Sequence, residues 1–447
     1  MGSIFKRQKL SKERFEDRIS NLPDSLIAQI LSCLPTKYAV STSILSTRWK
    51  QLWTLITNFD LDDDELWFGP RNDNCTDLSV QVQRSFTSFV RRVLLHHDSC
   101  VQRFRLNCSE CYDASLVNGW IAHTLLRNVE ELDLCLYETF VLPQDLFTCT
   151  TLVVLKLDST ECGGRLTLPA SVSLPRLKIL HLSRFECEDD DSINRFLSGC
   201  PVLEELSMTE CLGENVSVVN IVAPRLTSLS MHDYIDPPDY IDPPHAFERK
   251  IMLDAPALLY LKISDYSEDS RYLVKNLDCL IRADILLYAG GGDSSAKGLT
   301  DLLKGMSNVQ SLQLGFTICE IPPCTYMHDG DQLPMFLNMT CLELDDIVRW
   351  KFLLELLEKT PHLETLAFKQ GIGYDDKGFT RMFQNPARNM PSCFLFHLKV
   401  IEIRGFGWDK EEDWKIVDYF LRNLKVLEKV NIVYTMYGGS KWTIHRT

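Results

Sequence analysis

VEELDLCLYETFVLPQDLFTCTTLVVLKL, residues 129–157, contains one spacing twice: an apolar residue, two variable residues, an apolar residue, one variable residue and an apolar residue. The first copy ends at Leu134 and the second at Leu157. In an extended strand alternate side chains point to the same face, so the last two apolar residues of each copy would lie on one buried face. The stretch therefore predicts two short strands joined by a returning segment.

The same spacing recurs along most of the chain. From Leu134 to Met231 successive copies end 23, 25, 26 and 23 residues apart, within the period of about 20 to 29 residues that is typical of leucine-rich repeats. This pitch predicts an α/β solenoid, in which parallel strands line one face and helices or loops return the chain on the convex side. The twelve copies end at Leu106, Leu134, Leu157, Leu182, Met208, Met231, Ile263, Leu314, Leu344, Phe368, Ile403 and Ile432.

Two longer steps interrupt the period. The step from Met231 to Ile263 contains the hexapeptide DYIDPP twice, at 233–244. It predicts an exposed extended loop, although its proline pairs could instead dock a partner. The step from Ile263 to Leu314 covers about two periods and predicts a further strand near Ile285 and Leu287. The GGGDSSAKG segment that follows predicts a flexible turn, since it lacks the Gly-Lys-Ser/Thr ending of a phosphate-binding loop.

Two segments near the early repeats have apolar residues at helical spacing, TDLSVQVQRSFTSFVRRVLLHH at 76–97 and VNGWIAHTLLRN at 117–128. Both predict helices on the outer side of the repeats. His96 and His97 fall at the end of the first helix, where a solvated cap is expected.

Composition limits the classes of function. A net charge of -14 argues against general nucleic-acid binding. The first 20 residues carry six basic and three acidic side chains, which fits either a disordered tail or a nuclear-import signal. Neither a membrane span nor a secretory signal is indicated, so we expect the cytoplasm or nucleus, with the sixteen cysteines reduced. Several cysteines in leucine-patterned segments, such as Cys200 and Cys211, should behave as small buried hydrophobes.

No motif indicates catalysis, a metal or another cofactor. The chain has one CxxC, Cys108 and Cys111, with no second pair at zinc spacing, and neither HExxH nor GxSxG. A non-catalytic binding protein is therefore the favoured class.

Residues 19–53, ISNLPDSLIAQILSCLPTKYAVSTSILSTRWKQLW, hold more apolar side chains than so short a segment can bury alone. Pro23 and Pro35 divide it, and Thr36 and either Ser46 or Thr47 could cap two further helices, which predicts three helices in all. Such a unit is marginal alone. Its apolar face could pack on the first repeat or bind a partner.

This segment resembles the F-box. The whole chain is similar to plant proteins that join an F-box to degenerate leucine-rich repeats and a C-terminal FBD domain, because RNVEELDL and FLSGCPVLEELSM resemble the early repeats of that family. SCFLFHLKVIEIRGFGWDKEEDWKIVDYFLRNLKVLEKVNI resembles the FBD domain, whose usual ending is replaced here by YTMYGGSKWTIHRT. The implied organisation is a basic tail (1–17), an F-box (18–57), repeats (58–385), the FBD domain (386–435) and a tail (436–447).

The resemblance implies a role in ubiquitin ligation. The F-box would bind a SKP-type adaptor, which connects it to a cullin and a RING subunit, and the repeats would hold a protein substrate. The adaptor contacts that the resemblance implies are Leu22, Pro23, Ile27, Ile30, Leu31, Leu34, Pro35, Val40, Leu45, Trp49 and Trp53. A repeat scaffold with a vestigial F-box, or a small-molecule co-receptor, are the alternatives.

One residue in each copy, between its last two apolar positions, should face the concave wall. Across the twelve copies three of these residues are basic and three acidic. This balance offers no basic cage for an inositol phosphate and favours a protein substrate over a small-molecule ligand. The predicted substrate-binding residues on this wall are Lys156, His181, Ser207, Ser230, Lys262, Gln313 and Glu343.

Overall fold

Short parallel strands form the body of the protein. The structure is a computed structural model, and it describes residues 18–19, 21–66, 76–97, 99–137, 142–160, 164–213, 216–233, 249–265, 270–288, 293–317, 333–345, 350–371, 390–406, 411–434 and 440–445. The strands are β1 (Asn58–Asp62), β2 (Arg103–Asn107), β3 (Glu131–Leu136), β4 (Val154–Ser159), β5 (Gly164–Leu166), β6 (Ile179–Ser183), β7 (Phe185–Cys187), β8 (Glu205–Thr209), β9 (Val218–Val222), β10 (Ser228–Asp233), β11 (Lys250–Asp254), β12 (Tyr260–Asp265), β13 (Arg271–Lys275), β14 (Arg282–Tyr288), β15 (Ser311–Thr317), β16 (Cys341–Leu344), β17 (Thr365–Phe368), β18 (Val400–Arg404), β19 (Lys429–Tyr434) and β20 (Ser440–His445).

Fifteen of these strands form one sheet, in the order β1-β2-β3-β4-β6-β8-β10-β12-β14-β15-β16-β17-β18-β19-β20. All neighbours from β1 to β19 are parallel, and β20 pairs antiparallel with β19. The register aligns the apolar positions of successive copies, with Leu134 opposite Leu157 and Leu157 opposite Leu182. The predicted solenoid of parallel strands is confirmed.

The alignment produces continuous apolar columns under the sheet. Leu132, Leu134, Leu155 and Leu157 are all fully buried or nearly so. Burying each such side chain contributes about 1.5 to 3 kcal/mol. Because one repeat cannot bury its own apolar edge, each strand depends on its two neighbours for this contribution.

The described helices α1 (Asp24–Leu31), α2 (Thr36–Ser41) and α3 (Trp49–Leu52) precede the first strand. In several repeats a helix returns the chain on the convex side. These helices are α4 (Thr76–Leu95), α5 (Ala114–Leu125), α6 (Ser192–Ser198), α7 (Asp293–Gly305), α8 (Trp350–Glu358), α9 (Ser392–Phe396) and α10 (Glu411–Asn423). The two helices predicted near the early repeats are present as α4 and α5. The carboxylate of Asp113 caps α5 by accepting hydrogen bonds from the N–H groups of Ser115 at 2.9 Å and Leu116 at 3.2 Å.

Five of the described returning segments contain a strand where helices or loops were predicted. β9, β11 and β13 form a second parallel sheet, and β5 pairs with β7 in a third. Their alternating apolar residues, such as Val219 and Ile221 in β9, are buried. This alternation has the period of a strand, and it falls outside the spacing of the twelve copies.

A buried ion pair joins the end of β10 to the residue that precedes β11. Arg249, just before β11, pairs with Asp233 at the end of β10 and donates to the carbonyl oxygen of Leu212 at 2.9 Å. In the neighbouring strands the hydroxyl of Tyr272 donates to Asp265 at 2.5 Å. Burial, as the largest influence, raises the pKa of Asp233 to about 6 despite Arg249.

The strand predicted near Ile285 and Leu287 is present as β14. The predicted turn GGGDSSAKG is wrong in its second half, because residues 293–298 belong to α7. Gly298 is needed there, since a Cβ would stand 2.4 Å from the carbonyl oxygen of Ser270. The basic tail 1–17 and the proline pairs of the DYIDPP repeat lie outside the described residues.

The two ends of the main sheet also differ from expectation. β1 was not among the twelve predicted copies, and β20 lies in the segment 436–447 that was predicted to be a tail. Ile444 of β20 packs against the core. The other predicted domain boundaries remain predictions. No helix in the described parts of the chain is both long and apolar enough to cross a membrane.

Candidate functional site

Helix α1 has apolar residues on two faces. Ile27 and Leu31 point into the protein and are at most 1% exposed, whereas Leu26 and Ile30, each one position earlier, are 43% and 49% exposed. Residues four apart lie on the same face of a helix, so each pair forms its own stripe. One stripe holds the helix in place and the other remains available to a partner.

The following residues divide in the same way. Ala39, Trp49 and Leu52 are buried, while Ile44 and Leu45, in and just after the short 3₁₀ helix Thr42–Ile44, are 86% and 64% exposed. Exposed large apolar side chains are common singly. Six of them within 20 residues form an unusual concentration, and surfaces of this kind are typical of protein-binding sites. The six residues, which we call the apolar surface, are Leu26, Ile30, Leu34, Tyr38, Ile44 and Leu45.

The predicted adaptor contacts are split by this packing. Pro23, Ile30, Leu34 and Leu45 are exposed; Leu22, Pro35, Val40 and Trp53 are partly buried; Ile27, Leu31 and Trp49 are buried. The last three are core residues, so their side chains are not available to a partner in this conformation. Leu26, Tyr38 and Ile44 were not predicted as contacts but are exposed. The sequence offers one signal for these three residues: each is a large apolar residue that does not belong to the set that packs into the core.

A polar contact fixes the relative positions of α1 and α3. The guanidinium of Arg48 donates to the carboxylate of Asp24 and to the carbonyl oxygen of Leu22, in both cases at 2.5 Å. The pair is largely exposed, so it adds little stability. Because one guanidinium binds both Asp24 and the backbone of Leu22, it still orients the start of α1 relative to α3 and therefore orients the apolar surface.

The N-terminal helices are fused to the first repeat. The hydroxyl of the fully buried Thr36 accepts a hydrogen bond from the N–H of Asp60 in β1 at 2.8 Å. Because β1 is at the edge of the sheet, this contact satisfies a donor that no further strand would pair. The core of these helices is continuous with that of the repeats.

Predicted helix caps in this region need correction. Thr36 does not cap α2, because Pro35 occupies that position and the hydroxyl is used by Asp60. Arg48 holds the cap position of α3, although the hydroxyl of Ser46 accepts from the N–H of Trp49 at 3.4 Å.

His97 is not the solvated cap that its position at a helix end suggested. It is fully buried, its Nε2 lies 2.9 Å from the carbonyl oxygen of Ile56, and its ring packs edge-on against Phe59. The histidine thus joins the end of α4 to the junction between the N-terminal helices and β1. Only the tertiary structure could reveal this contact, because the two partners are 41 residues apart in the chain.

The concave wall contains two residues that the twelve copies did not include. The register places Asp60 opposite Arg105 and Asp284 opposite both Lys262 and Gln313. With them the row has five acidic residues and three basic ones, so the predicted charge balance is wrong. The row is Asp60, Arg105, Asp133, Lys156, His181, Ser207, Ser230, Lys262, Asp284, Gln313, Glu343, Ala367, Glu402 and Asn431. The seven predicted substrate-binding residues all lie in it.

Three adjacent carboxylates and the CxxC motif lie close to the first repeats. Among the described residues, the carboxylates of Asp62, Asp63 and Asp64 approach one another closely enough to hold an ion. Asp63 already accepts hydrogen bonds from the N–H of Ser109 at 2.9 Å and the hydroxyl of Tyr112 at 3.0 Å, so its role is structural. Cys108 is buried and Cys111 exposed; burial raises the pKa of the Cys108 thiol well above its usual value. Cys200 and Cys211 are buried as predicted.

Comparison with protein families assigns three segments of the chain. The model described as F-box domain matches residues 19–60, the one described as FBD-associated F-box protein At5g56370, LRR repeats, matches residues 117–273, and the FBD model matches residues 384–432. F-box/LRR-repeat protein At3g59200 of Arabidopsis thaliana is 34% identical over 94% of this chain and 82% of its own length. The chain belongs to the F-box/LRR-repeat family. F-box/FBD/LRR-repeat protein At1g78750 of the same plant is 30% identical over 96% of this chain and 93% of its own length.

The matched segments correspond to the surfaces described above. The F-box match covers α1 to α3 and extends into β1, which agrees with the shared core between the F-box and the first repeat. The FBD match includes α9, β18, α10 and much of β19, so this domain continues the solenoid. An F-box combined with leucine-rich repeats supports an adaptor role of the F-box type.

Proposed function

We propose that this protein is the substrate-recognition subunit of an SCF-type E3 ubiquitin ligase. Its F-box binds a SKP-type adaptor, which connects it to a cullin and a RING subunit, and its repeats bind a protein substrate. The chain then acts without chemistry of its own, because it raises the effective concentration of substrate lysines near the charged conjugating enzyme.

The apolar surface of the F-box is the observation that carries this proposal. Its six side chains are between 37% and 86% exposed, although α1 to α3 bury a separate set of residues in a well-packed core. A vestigial F-box that served only the first repeat would need the buried set alone. Exposed apolar side chains lower the solubility of a protein. A partner that covers them explains why this set is present.

Deletion of residues 1–57 would not distinguish a docking F-box from the scaffold alternative. Because Thr36 covers the edge of β1 and Ile27, Leu31 and Trp49 share the core of the first repeat, that deletion would destabilise the repeats under either hypothesis. Only substitutions on the exposed side chains distinguish the two.

The decisive experiment measures adaptor affinity by isothermal titration calorimetry for wild type and for Leu34→Asp combined with Leu45→Asp. Leu126→Asp is the control, since Leu126 is an exposed leucine outside the F-box, 83% exposed compared with 37% for Leu34 and 64% for Leu45. We expect the double variant to lose binding, because two charges would be buried without partners, and the control to bind like wild type. Micromolar binding that survives the double substitution would contradict the proposal.

A further inference from the structure

Helix α4 presents a basic face on the convex side of the first repeat. From Leu78 to His97 the sequence contains three arginines and two histidines but no acidic residue, although the whole chain has a net charge of -14. Arg84, Arg91 and Arg92 are exposed. Arg84 and Arg91 are seven positions apart, which is about two helical turns, so they project from the same side of the helix. We call Arg84, Arg91 and Arg92 the basic face.

The basic face is not neutralised within the described parts of the chain. None of its three arginines makes an ion pair or a side-chain hydrogen bond there, whereas Arg105 of the next strand pairs with Asp60 at 2.6 Å. Attraction to the helix dipole accounts for Arg92, which lies in the last turn of α4. It does not account for Arg84, which lies in the middle of the helix. The basic face therefore remains available to an acidic partner.

The C-terminal end of α4 adjoins the F-box. The ring of His96, the first residue after the helix, packs edge-on against Trp53, with the ring centroids 6.3 Å apart. The ring of the buried His97 lies 2.9 Å from the carbonyl oxygen of Ile56. Arg92 is one turn earlier on the helix, and its carbonyl oxygen accepts from the N–H of His96 at 3.2 Å. The basic face thus begins beside the last residues of the F-box.

The same part of the F-box adjoins helix α1, which carries part of the apolar surface. Helix α1 contacts the 3₁₀ helix Trp53–Leu55. The hydroxyl of Ser32, just after α1, accepts a hydrogen bond from the N–H of Thr57 at 3.4 Å. Leu55 is 46% exposed. An exposed apolar side chain therefore lies between α1 and the end of α4.

We propose that the adaptor extends from the apolar surface across Leu55 to Arg91 and Arg92, and that it meets these two arginines with acidic side chains. This inference rests on the proposed function and adds an electrostatic part to the adaptor-binding site. Complementary charges at the rim of an interface mainly accelerate association and fix orientation. Helix α5 precedes β3 and lies one repeat further from the F-box than α4, so it is outside the proposed contact.

Charge and position favour the adaptor over other acidic occupants of the basic face. The net charge of -14 repels anionic membranes and nucleic acids. A protein that already covers the neighbouring apolar side chains is held by short-range contacts. Its acidic residues then need only the local attraction of the arginines, which acts within a Debye length of about 8 Å at physiological ionic strength.

The experiment measures the association and dissociation rates of the full-length chain with a SKP-type adaptor by surface plasmon resonance. Arg91→Glu combined with Arg92→Glu should slow association about tenfold at an ionic strength of about 0.02 M and about twofold at about 0.3 M, because salt screens the charges. Dissociation should change less than about threefold. Arg91→Gln combined with Arg92→Gln should slow association less, since it removes the attraction without adding repulsion.

Arg176→Glu combined with Arg225→Glu is the matched control. It changes the net charge by the same amount, at two exposed arginines that precede β6 and β10 and have no ion pair in the described chain. The control should associate within about twofold of the wild-type rate. Equal slowing by both pairs, or no slowing by the pair on α4, would overturn the proposal. If the pair on α4 leaves association unaltered but abolishes binding to phosphatidylserine vesicles, the basic face serves a membrane instead.

The outcome for the apolar surface separates this inference from the proposed function. Suppose that wild type binds the adaptor and that Leu34→Asp combined with Leu45→Asp does not, while the pair on α4 associates at the wild-type rate. That result would refute only the contact at the basic face and leave the proposed function standing. An adaptor that does not bind wild type would overturn both.

Discussion

Ile30 and Leu31 are consecutive residues of α1 with opposite surroundings, and truncating each should separate stability from adaptor binding. Leu31 is 1% exposed within the core of the F-box, whereas Ile30 is 49% exposed on the apolar surface. Leu31→Ala removes buried methyl groups and leaves a cavity, which costs about 2 to 5 kcal/mol. Ile30→Ala removes a half-exposed side chain from a helix that alanine favours, so its effect on stability should stay within about 1 kcal/mol.

The expected effect on binding follows from the area that Ile30 still exposes. Burying a whole isoleucine side chain is worth about 1.5 to 3 kcal/mol, and about half of Ile30 remains to be covered by a partner. Ile30→Ala should therefore lose about 1 kcal/mol of binding free energy, which weakens the adaptor Kd about five- to tenfold. Leu31→Ala should bind with nearly the wild-type Kd under conditions in which it is still folded.

Two measurements test this pair. Hydrogen exchange of the amides in α1 reports the local opening free energy, and calorimetric titration with the adaptor reports Kd. The reasoning would be refuted if Ile30→Ala bound like wild type while folded Leu31→Ala bound weakly. It would also be refuted if Leu31→Ala left the exchange rates of α1 unaltered.

Two other predictions follow from the polar contacts. Thr36→Val leaves the N–H of Asp60 without its acceptor and should lower the free energy of unfolding by about 1 to 3 kcal/mol; urea titration should show a smaller loss for the control Thr42→Val, whose hydroxyl donates to a helix carbonyl at 2.7 Å. For Asp233, burial raises the folded-state pKa to about 6, above the usual value near 3.9 in unfolded chains, so the folded state binds the proton more tightly. The stability of wild type relative to Asp233→Asn should accordingly increase as pH falls from about 6 to about 4, and a difference that stays constant or shrinks in urea titrations would contradict the assignment.

The repeats could be predicted because their signal is local. Each strand carries its apolar positions within six residues, and β14 was found although Ala283 replaces the usual large residue. β1 has the same spacing in ITNFDL, with Ile56, Phe59 and Leu61 buried, but this copy overlaps the segment that resembles the F-box and lies outside the twelve predicted copies. β20 has no such spacing; it pairs antiparallel at the free edge of β19, a position that only the folded sheet creates.

The sequence by itself determined the solenoid and the row of residues that faces the concave wall, because both depend on periodic apolar residues close together in the chain. The F-box at the head of the solenoid was indicated by the resemblance of residues 19–53 to a known family. The tertiary structure decided which side of α1 faces outward, since both faces are apolar and only packing on Ala39, Trp49 and β1 selects the buried one. It also decided which polar side chains of the wall contact one another. His181 lies 2.7 Å from Glu205 and Lys369 pairs with Glu343 at 2.9 Å, and the members of each pair are 24 or more residues apart in sequence, so only the folded sheet brings them together.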